Sequence, residues 1–393
     1  MVTSYRFFIV SFLLGSIVLV SLPALAQHDH DQPPPGSDRT ETMIMPSISY
    51  SSDLGLMGGG SVQRYRLKEG YDPYYSFFDI NALVSTQGLI LSRLRYNRTE
   101  TFGLPIRSEF ILHGNRQLYS AYFGTGNHTT FDDDLWDDDY YYFESLSFGF
   151  DYQGRIPLAR DLNSPLEGLI SLGVSHFTPR NVDEDQSLYD FQQEKNIKGY
   201  DGGMLNYAGT GLEIETRDSE LDPTEGIHSK LEANFMNGFL FSDFNMQIIE
   251  FETSAYYTVS WLDDTRIAAR ISGSQTFGDV PFWREPHLGG ENTLRGYPLH
   301  RFRDKGRFFY NLELRNWLVT SQSIGLRFGA HAFADGGRVL DFTDNIDDLF
   351  ENHHHTFGGG ISYQILDSNM LLRIEAGFSD EMWRLYLGTG FMF

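Results

Sequence analysis

The 393-residue sequence carries 30 basic against 53 acidic residues, a formal net charge of -23, with 15% aromatic residues, 39 glycines and no cysteine. That charge repels phosphate backbones and excludes nucleic acid as a partner, and a chain without disulfides is held by pairing and burial. Beyond the N-terminal segment no run of about 18 apolar residues occurs, which excludes a helical membrane protein.

In chain order, Arg6 precedes an apolar run from Phe7 to Leu22 and then Ala24-Leu25-Ala26, the layout of a signal peptide over residues 1–26 cleaved before Gln27. A retained anchor is the alternative; lipoprotein processing is excluded because no cysteine follows. Residues 27–57 read as a leader and pre-barrel segment: His28, Asp29, His30, Asp31 and three prolines have no folding capacity of their own. Ser47 to Asp53 is strand-like and is assigned to that segment or to a luminal plug.

From Gly58 to Phe393 apolar and polar residues alternate, the pattern of strands with one face on lipid and one on water. Strands are expected at 58–67, 77–86, 88–97, 106–113, 117–124, 141–153, 166–177, 205–216, 227–238, 246–259, 265–277, 306–318, 324–334, 355–365, 370–378 and 383–393. In strand 11, Ile267, Ala269 and Ile271 oppose Arg266 and Arg270; in strand 15, Leu372, Ile374, Ala376 and Phe378 oppose Arg373 and Glu375. The last strand sends Leu385, Leu387, Thr389, Phe391 and Phe393 to lipid. Short turns follow even strands and most longer loops follow odd ones, as in a barrel with short periplasmic turns. The fold class is therefore all-β, a sixteen-stranded antiparallel transmembrane β-barrel.

The densest motif is Gly289-Gly290-Glu291-Asn292-Thr293-Leu294-Arg295-Gly296-Tyr297, followed by Asn311-Leu312-Glu313-Leu314-Arg315 and Phe333-Ala334-Asp335-Gly336-Gly337. Alternation sets Glu313 and Asp335 on luminal faces, and a guanidinium offers carboxylates a rigid fork of donors. Arg295 at an ordinary external loop tip is the alternative reading. The three segments resemble the sixth-loop arginine-glycine-aromatic tip, its partner acid and the F-x-D-x-G strand of the superfamily that includes BamA, TamA and two-partner-secretion transporters. Asp222-Pro223-Thr224-Glu225-Gly226 resembles that family's periplasmic turn, and Tyr386-x-Gly388-x-x-Phe391-x-Phe393 its C-terminal assembly signal.

The resemblance implies a long external loop folded into the lumen, with Arg295, Gly296, Tyr297, Glu313 and Asp335 forming a latch. It departs from the family at Tyr310, where a glycine is usual. The segment before the first expected strand is also too short for a periplasmic POTRA domain, since an independent fold needs more than about 40 residues. The implied function is help with insertion or translocation of client proteins at the bacterial outer membrane, through a seam where Gly58, Gly59 and Gly60 meet Phe391 and Phe393. A passive pore or anchoring barrel is the competing class. Expected partners are outer-membrane lipid and lipopolysaccharide, client proteins and a periplasmic protein.

No cofactor, metal or enzymatic activity is expected. The acidic run Asp132, Asp133, Asp134, Asp137, Asp138 and Asp139 lacks the spaced ligands of a calcium loop, and His353-His354-His355 reads as exposed polar sequence. Ser175 and His176 are adjacent, so alternation parts them and a lipase site is not formed.

Overall fold

In the computed structural model the described residues run from Asp38 to Phe393, apart from 72–73, 102, 160–163, 220–221, 324, 343–348 and 367–369. The expected signal peptide, residues 1–26, lies outside them, as does the leader up to residue 37. Sixteen strands close into one barrel, each antiparallel to its neighbours. They are β1 (Asp38–Ser51), β2 (Gly55–Lys68), β3 (Ser76–Ser85), β4 (Ile90–Arg98), β5 (Arg107–Ala121), β6 (Tyr142–Pro157), β7 (Leu166–Arg180) and β8 (Gly203–Glu215). The second half comprises β9 (Gly226–Met236), β10 (Met246–Thr258), β11 (Thr265–Gly278), β12 (Gly306–Ser321), β13 (Leu326–Leu340), β14 (His354–Ile365), β15 (Met370–Phe378) and β16 (Trp383–Thr389).

Alternation builds the wall. Ile44, Ile48, Ile80, Val84, Leu312 and Leu314 are exposed on the outer face, whereas Asp79, Glu213, Arg270, Glu313, Arg373 and Glu375 are buried. An inside-out distribution of this kind suits a wall with hydrocarbon outside and a polar, packed interior. Every strand finds a partner on both sides, so no long edge meets lipid except at the seam.

The expected count of sixteen is reached by a different route. β1 was expected as leader and plug, yet all fourteen of its residues pair with β2, from Asp38 opposite Lys68 to Ser51 opposite Gly55. Its charged start, serines and Pro46 mask a pattern in which Ile44 and Ile48 still face outward. In the other direction, the expected strands at 106–113 and 117–124 are one strand, β5. Gly114-Asn115-Arg116 has turn composition, but each of the three is paired with β4 and with β6. Pairing on both sides overrides local turn preference, and the real irregularity is a register shift between Gln117 and Ser120.

Two seam expectations also change. Gly58, Gly59 and Gly60 lie in β2, paired with β1 on one side and β3 on the other, and so are not at the closure. Phe391 and Phe393 do not face lipid. β16 stops at Thr389, Gly390 takes a φ of +75°, and both rings turn into the lumen, 6.3 Å from the Trp317 ring and 6.4 Å from the Tyr256 ring respectively. A left-handed residue breaks period-two alternation, so face assignments beyond it fail.

The actual seam is short: only Tyr50 and Ser51 of β1 pair with Leu387 and Tyr386 of β16. Just past it, Ser52 N–H donates to Leu385 O at 3.0 Å, and Arg384 Nη2 lies 3.2 Å from Asp53 Oδ1. Because Ser52 points its N–H at β16, alternation turns the nitrogen of Pro46 to the same edge, where it has no hydrogen to donate.

Candidate functional site

Residues 279–305, joining β11 to β12, fold into the barrel. The loop is braced by a short turn of 3-10 helix at Phe282–Arg284 and by a two-residue ladder pairing His287–Leu288 with Phe302–Arg303. Leu288, Leu294, Tyr297 and Phe302 pack on Phe309 of β12 and Val339 of β13 as a small apolar core. Burying these side chains contributes roughly 1.5–3 kcal/mol each. Asn311 Nδ2 donates to Thr293 O at 2.7 Å, and Arg270 Nη2 donates to Asn292 O at 2.7 Å, so wall side chains hold the loop backbone.

At the tip, Arg295 is fully buried. Its Nε and Nη2 donate to the two oxygens of Asp335 at 2.9 and 2.7 Å, a bidentate pair, and its backbone N–H donates to Asp335 Oδ2 at 3.2 Å. Nη1 donates to Glu313 Oε1 and, at 3.4 Å, to Glu375 Oε2. The guanidinium carbon sits 3.4 Å from the centroid of the Phe333 ring, so cation–π attraction adds to the ion pairs. Burial works against the charge, but Asp335 and Glu313 outweigh it and raise the Arg295 pKa. Buried and paired on several sides, these charges interact far more strongly than exposed ones.

Gly296 and Gly377 permit the approach. Gly296 has a φ of +109°, which favours glycine, and a Cβ there would lie 2.8 Å from the carbonyl carbon of Phe378. A Cβ on Gly377 would lie 2.7 Å from that of Arg295. Loop and β15 therefore touch backbone to backbone. Gly296 N–H donates to Tyr386 Oη at 3.2 Å, and the Tyr297 hydroxyl donates to Asp380. The sequence-predicted set Arg295, Gly296, Tyr297, Glu313 and Asp335 thus lies together, while Gly58, Gly59 and Gly60 lie apart in β2 and the Phe391–Phe393 tail abuts the set through Arg315.

Several participants were not assigned from sequence. Glu375 was placed in the lumen by alternation, but nothing in its neighbours tied it to the loop. Arg301 donates to Glu381 at 2.7 and 2.8 Å and to Thr129 at 2.7 Å through both hydroxyl and carbonyl. Leu299 N–H donates to Asp53 at 2.9 Å. The one available signal was charge: the β15–β16 turn carries Asp380-Glu381 opposite a loop rich in arginine.

Tyr310, in the position where glycine is usual, lies against Gly336: a Cβ on that glycine would come 2.4 Å from the ring. The acidic run forms a single helical turn, Asp133–Asp137, whose N-terminal amides of Asp134 and Leu135 donate to Asp132 at 3.0 and 3.2 Å. Among the described residues no group of three or more His, Asp or Glu is placed to hold a metal ion.

One loop carboxyl makes docking pH-dependent. Burial pushes Glu285 from its ordinary 4.5 up to about 7, against the pull of Arg303 and with a push from Asp304. The docked loop therefore takes up a proton that the released loop would not. Its stabilising effect is complete below about pH 4.5 and is lost as pH rises through 7. His287 and His300 of the same loop are pushed below 6.5 by burial and act in the opposite sense, favouring docking as pH rises, while burial pushes Glu291 up as it does Glu285. The Glu285 share is therefore read by difference: Glu285→Gln is expected to lower several-fold the ratio of cleavage rates of residues 279–305 by a non-specific protease at pH 8 and pH 6, and an unchanged ratio would assign none of the pH-dependence to Glu285.

Residues 119–391 match the Omp85 superfamily domain. No curated protein matches the chain in sequence. Among solved structures it is similar to BamA from Haemophilus ducreyi lacking POTRA domains 1–3, with a TM-score of 0.62 and 14% identity over 90% of this chain and 71% of that one. It is also similar to CdiB from Escherichia coli, with a TM-score of 0.54 and 12% identity over 88% of this chain and 63% of that one. At that identity the likeness is one of fold, and this chain spans less than two thirds of CdiB.

Proposed function

Since the chain belongs to the Omp85 superfamily and is an outer-membrane β-barrel, we propose that it assists client polypeptides into or across the outer membrane through its β1–β16 seam. The observation that carries this reading is the imbalance of pairing around β1: fourteen residue pairs to β2 but two to β16. Each net hydrogen bond contributes about 0.5–1.5 kcal/mol, so parting two pairs costs little beside parting any other neighbours. Backbone groups left without partners at hydrocarbon depth cost several kcal/mol each. An incoming strand that pairs with the edge from Asp38 to Ser49 relieves that cost.

The apolar outer face, with Ile44 at 78% and Ile48 at 61% exposure, is the surface offered to membrane lipid. Lipopolysaccharide at the level of the external loops, and a periplasmic protein that delivers clients, complete the partners of this reading. No enzymatic step is involved.

A second reading, a passive pore, is favoured by a different observation. The docked loop leaves a cavity of about 490 Å³ against β5–β10, lined by Glu109, Asp151, Glu232 and Glu250 among others. Depletion separates the two. Loss of several other barrel proteins from the membrane is the expected result, whereas an unchanged outer-membrane proteome with altered cation uptake would replace client handling by conduction.

A further inference from the structure

The inward tail and the docked loop share their anchors. Arg315 of β12 has its guanidinium carbon 4.0 Å from the Phe391 ring centroid and 5.3 Å from that of Phe393, and its Nη2 donates to the Phe393 carbonyl at 3.0 Å. The same guanidinium pairs with Glu313 Oε2, at 2.8 Å from Nε and 2.7 Å from Nη2. The other oxygen of Glu313 accepts from Arg295 of the loop. A parallel route exists through Glu375, whose Oε2 accepts from Arg295 at 3.4 Å and lies 3.0 Å from His331 Nε2. The His331 ring in turn meets Phe391 edge-on at 6.3 Å.

We infer that Glu313 and Arg315 are positioning residues that couple loop docking to the inward tail, so that the loop controls how long the β1–β16 seam is. With Arg295 in place, Glu313 is fixed and holds Arg315 under Phe391 and Phe393. Withdrawal of the loop admits water, frees Glu313 to follow Arg295 or solvent, and weakens the hold of Arg315 on the two rings. The released tail then continues β16 along β1, where unpaired edge groups gain partners. Pro46, lacking a donor on that edge, keeps this extension from winning while the loop is docked.

Continuing the register of Tyr50 opposite Leu387 and Ser51 opposite Tyr386 sets Met45 opposite Met392 in the extended state. Directly paired residues on antiparallel strands have Cα atoms about 4.5–5.5 Å apart, within disulfide reach. The chain has no cysteine of its own, so Met45→Cys/Met392→Cys in the full protein in vesicles reports the extended tail alone. The parent pair is expected to oxidise sparsely, and Arg295→Met and Arg315→Met should each raise the crosslinked fraction at least about fivefold, the factor expected when a seam state becomes comparably populated.

Should Arg295→Met not fold, as judged by heat-modifiable gel mobility, two other variants take its place. Gly296→Ala displaces the loop with every charge kept, and Glu313→Gln/Arg315→Met removes one charge of each sign. A crosslink that rises with Arg315→Met but not with loop release would overturn the coupling, as would one unchanged in all folded variants. The inference rests on the client-handling reading only for its use. The crosslink is measured without a client, so coupling can hold while depletion disproves insertion, or fail while insertion stands.

Discussion

Arg295→Ala is expected to free the loop from the lumen and to raise both channel conductance and protease access to residues 279–305. The reason is what the substitution leaves behind. Glu313 still has Arg315 beside it, though no longer fixed from the loop side, and Glu375 has His331. Asp335, though, loses its bidentate charged partner and is left with the backbone N–H of residue 295 at 3.2 Å and a Thr356 hydroxyl at 3.4 Å. Removing one member of a buried charge group typically costs about 3–5 kcal/mol, because the remaining charge stays desolvated. That shifts the docked-to-released ratio by roughly 100-fold or more. Adding Asp335→Asn should recover part of the loss, since a neutral amide is cheaper to strand than a carboxylate. Single-channel recordings and loop proteolysis that match the parent in Arg295→Ala would refute the latch.

The second large effect needs no change of charge. Gly296→Ala places a methyl group 2.8 Å from the Phe378 carbonyl carbon and asks an L side chain to hold a φ of +109°. Backbone strain of that kind costs about 1–3 kcal/mol before any clash is counted, and the clash is with β15 backbone, which cannot step aside without leaving its ladder. Gly377→Ala tests the same contact from the wall, where the Cβ meets the Arg295 carbonyl carbon at 2.7 Å. Both variants should lose hydrogen-exchange protection at Gly296 and Tyr297 while the β11–β12 ladder stays protected. Equal protection in parent and variants would mean that side-chain pairing alone seats the loop.

Much of this barrel was legible because the signal is periodic. Glu313, Asp335 and the alternation of β11 and β15 could be placed from residue type and spacing, since a wall between hydrocarbon and water admits one side-chain distribution. What escaped was set by partners distant in sequence. β1 is strand because β2 lies beside it for its full length, although Asp38 and Pro46 disfavour one. β5 crosses Gly114-Asn115-Arg116 without turning because β4 and β6 hold both its edges. The tail leaves the wall at one left-handed glycine, a conformation that Gly390 permits but its neighbours do not announce. At the latch, Arg295 and its two named acids could be found by resemblance, whereas Glu375 required the loop to be seen against β15.

The latch also bears on the order in which the molecule assembles. Arg295 is separated by 18 residues from Glu313, by 40 from Asp335 and by 80 from Glu375. All its anchors are on β12, β13 and β15, so none waits for strands β1–β10. A nascent C-terminal sheet can therefore swallow its own loop while still an open trough, when solvent can leave the site freely and chain closure is entropically modest. The N-terminal strands would then wrap a concave surface whose latch is already seated, adding the loop contacts to Asp53 and Thr129 as they arrive, and the last junction made would be the weakest one.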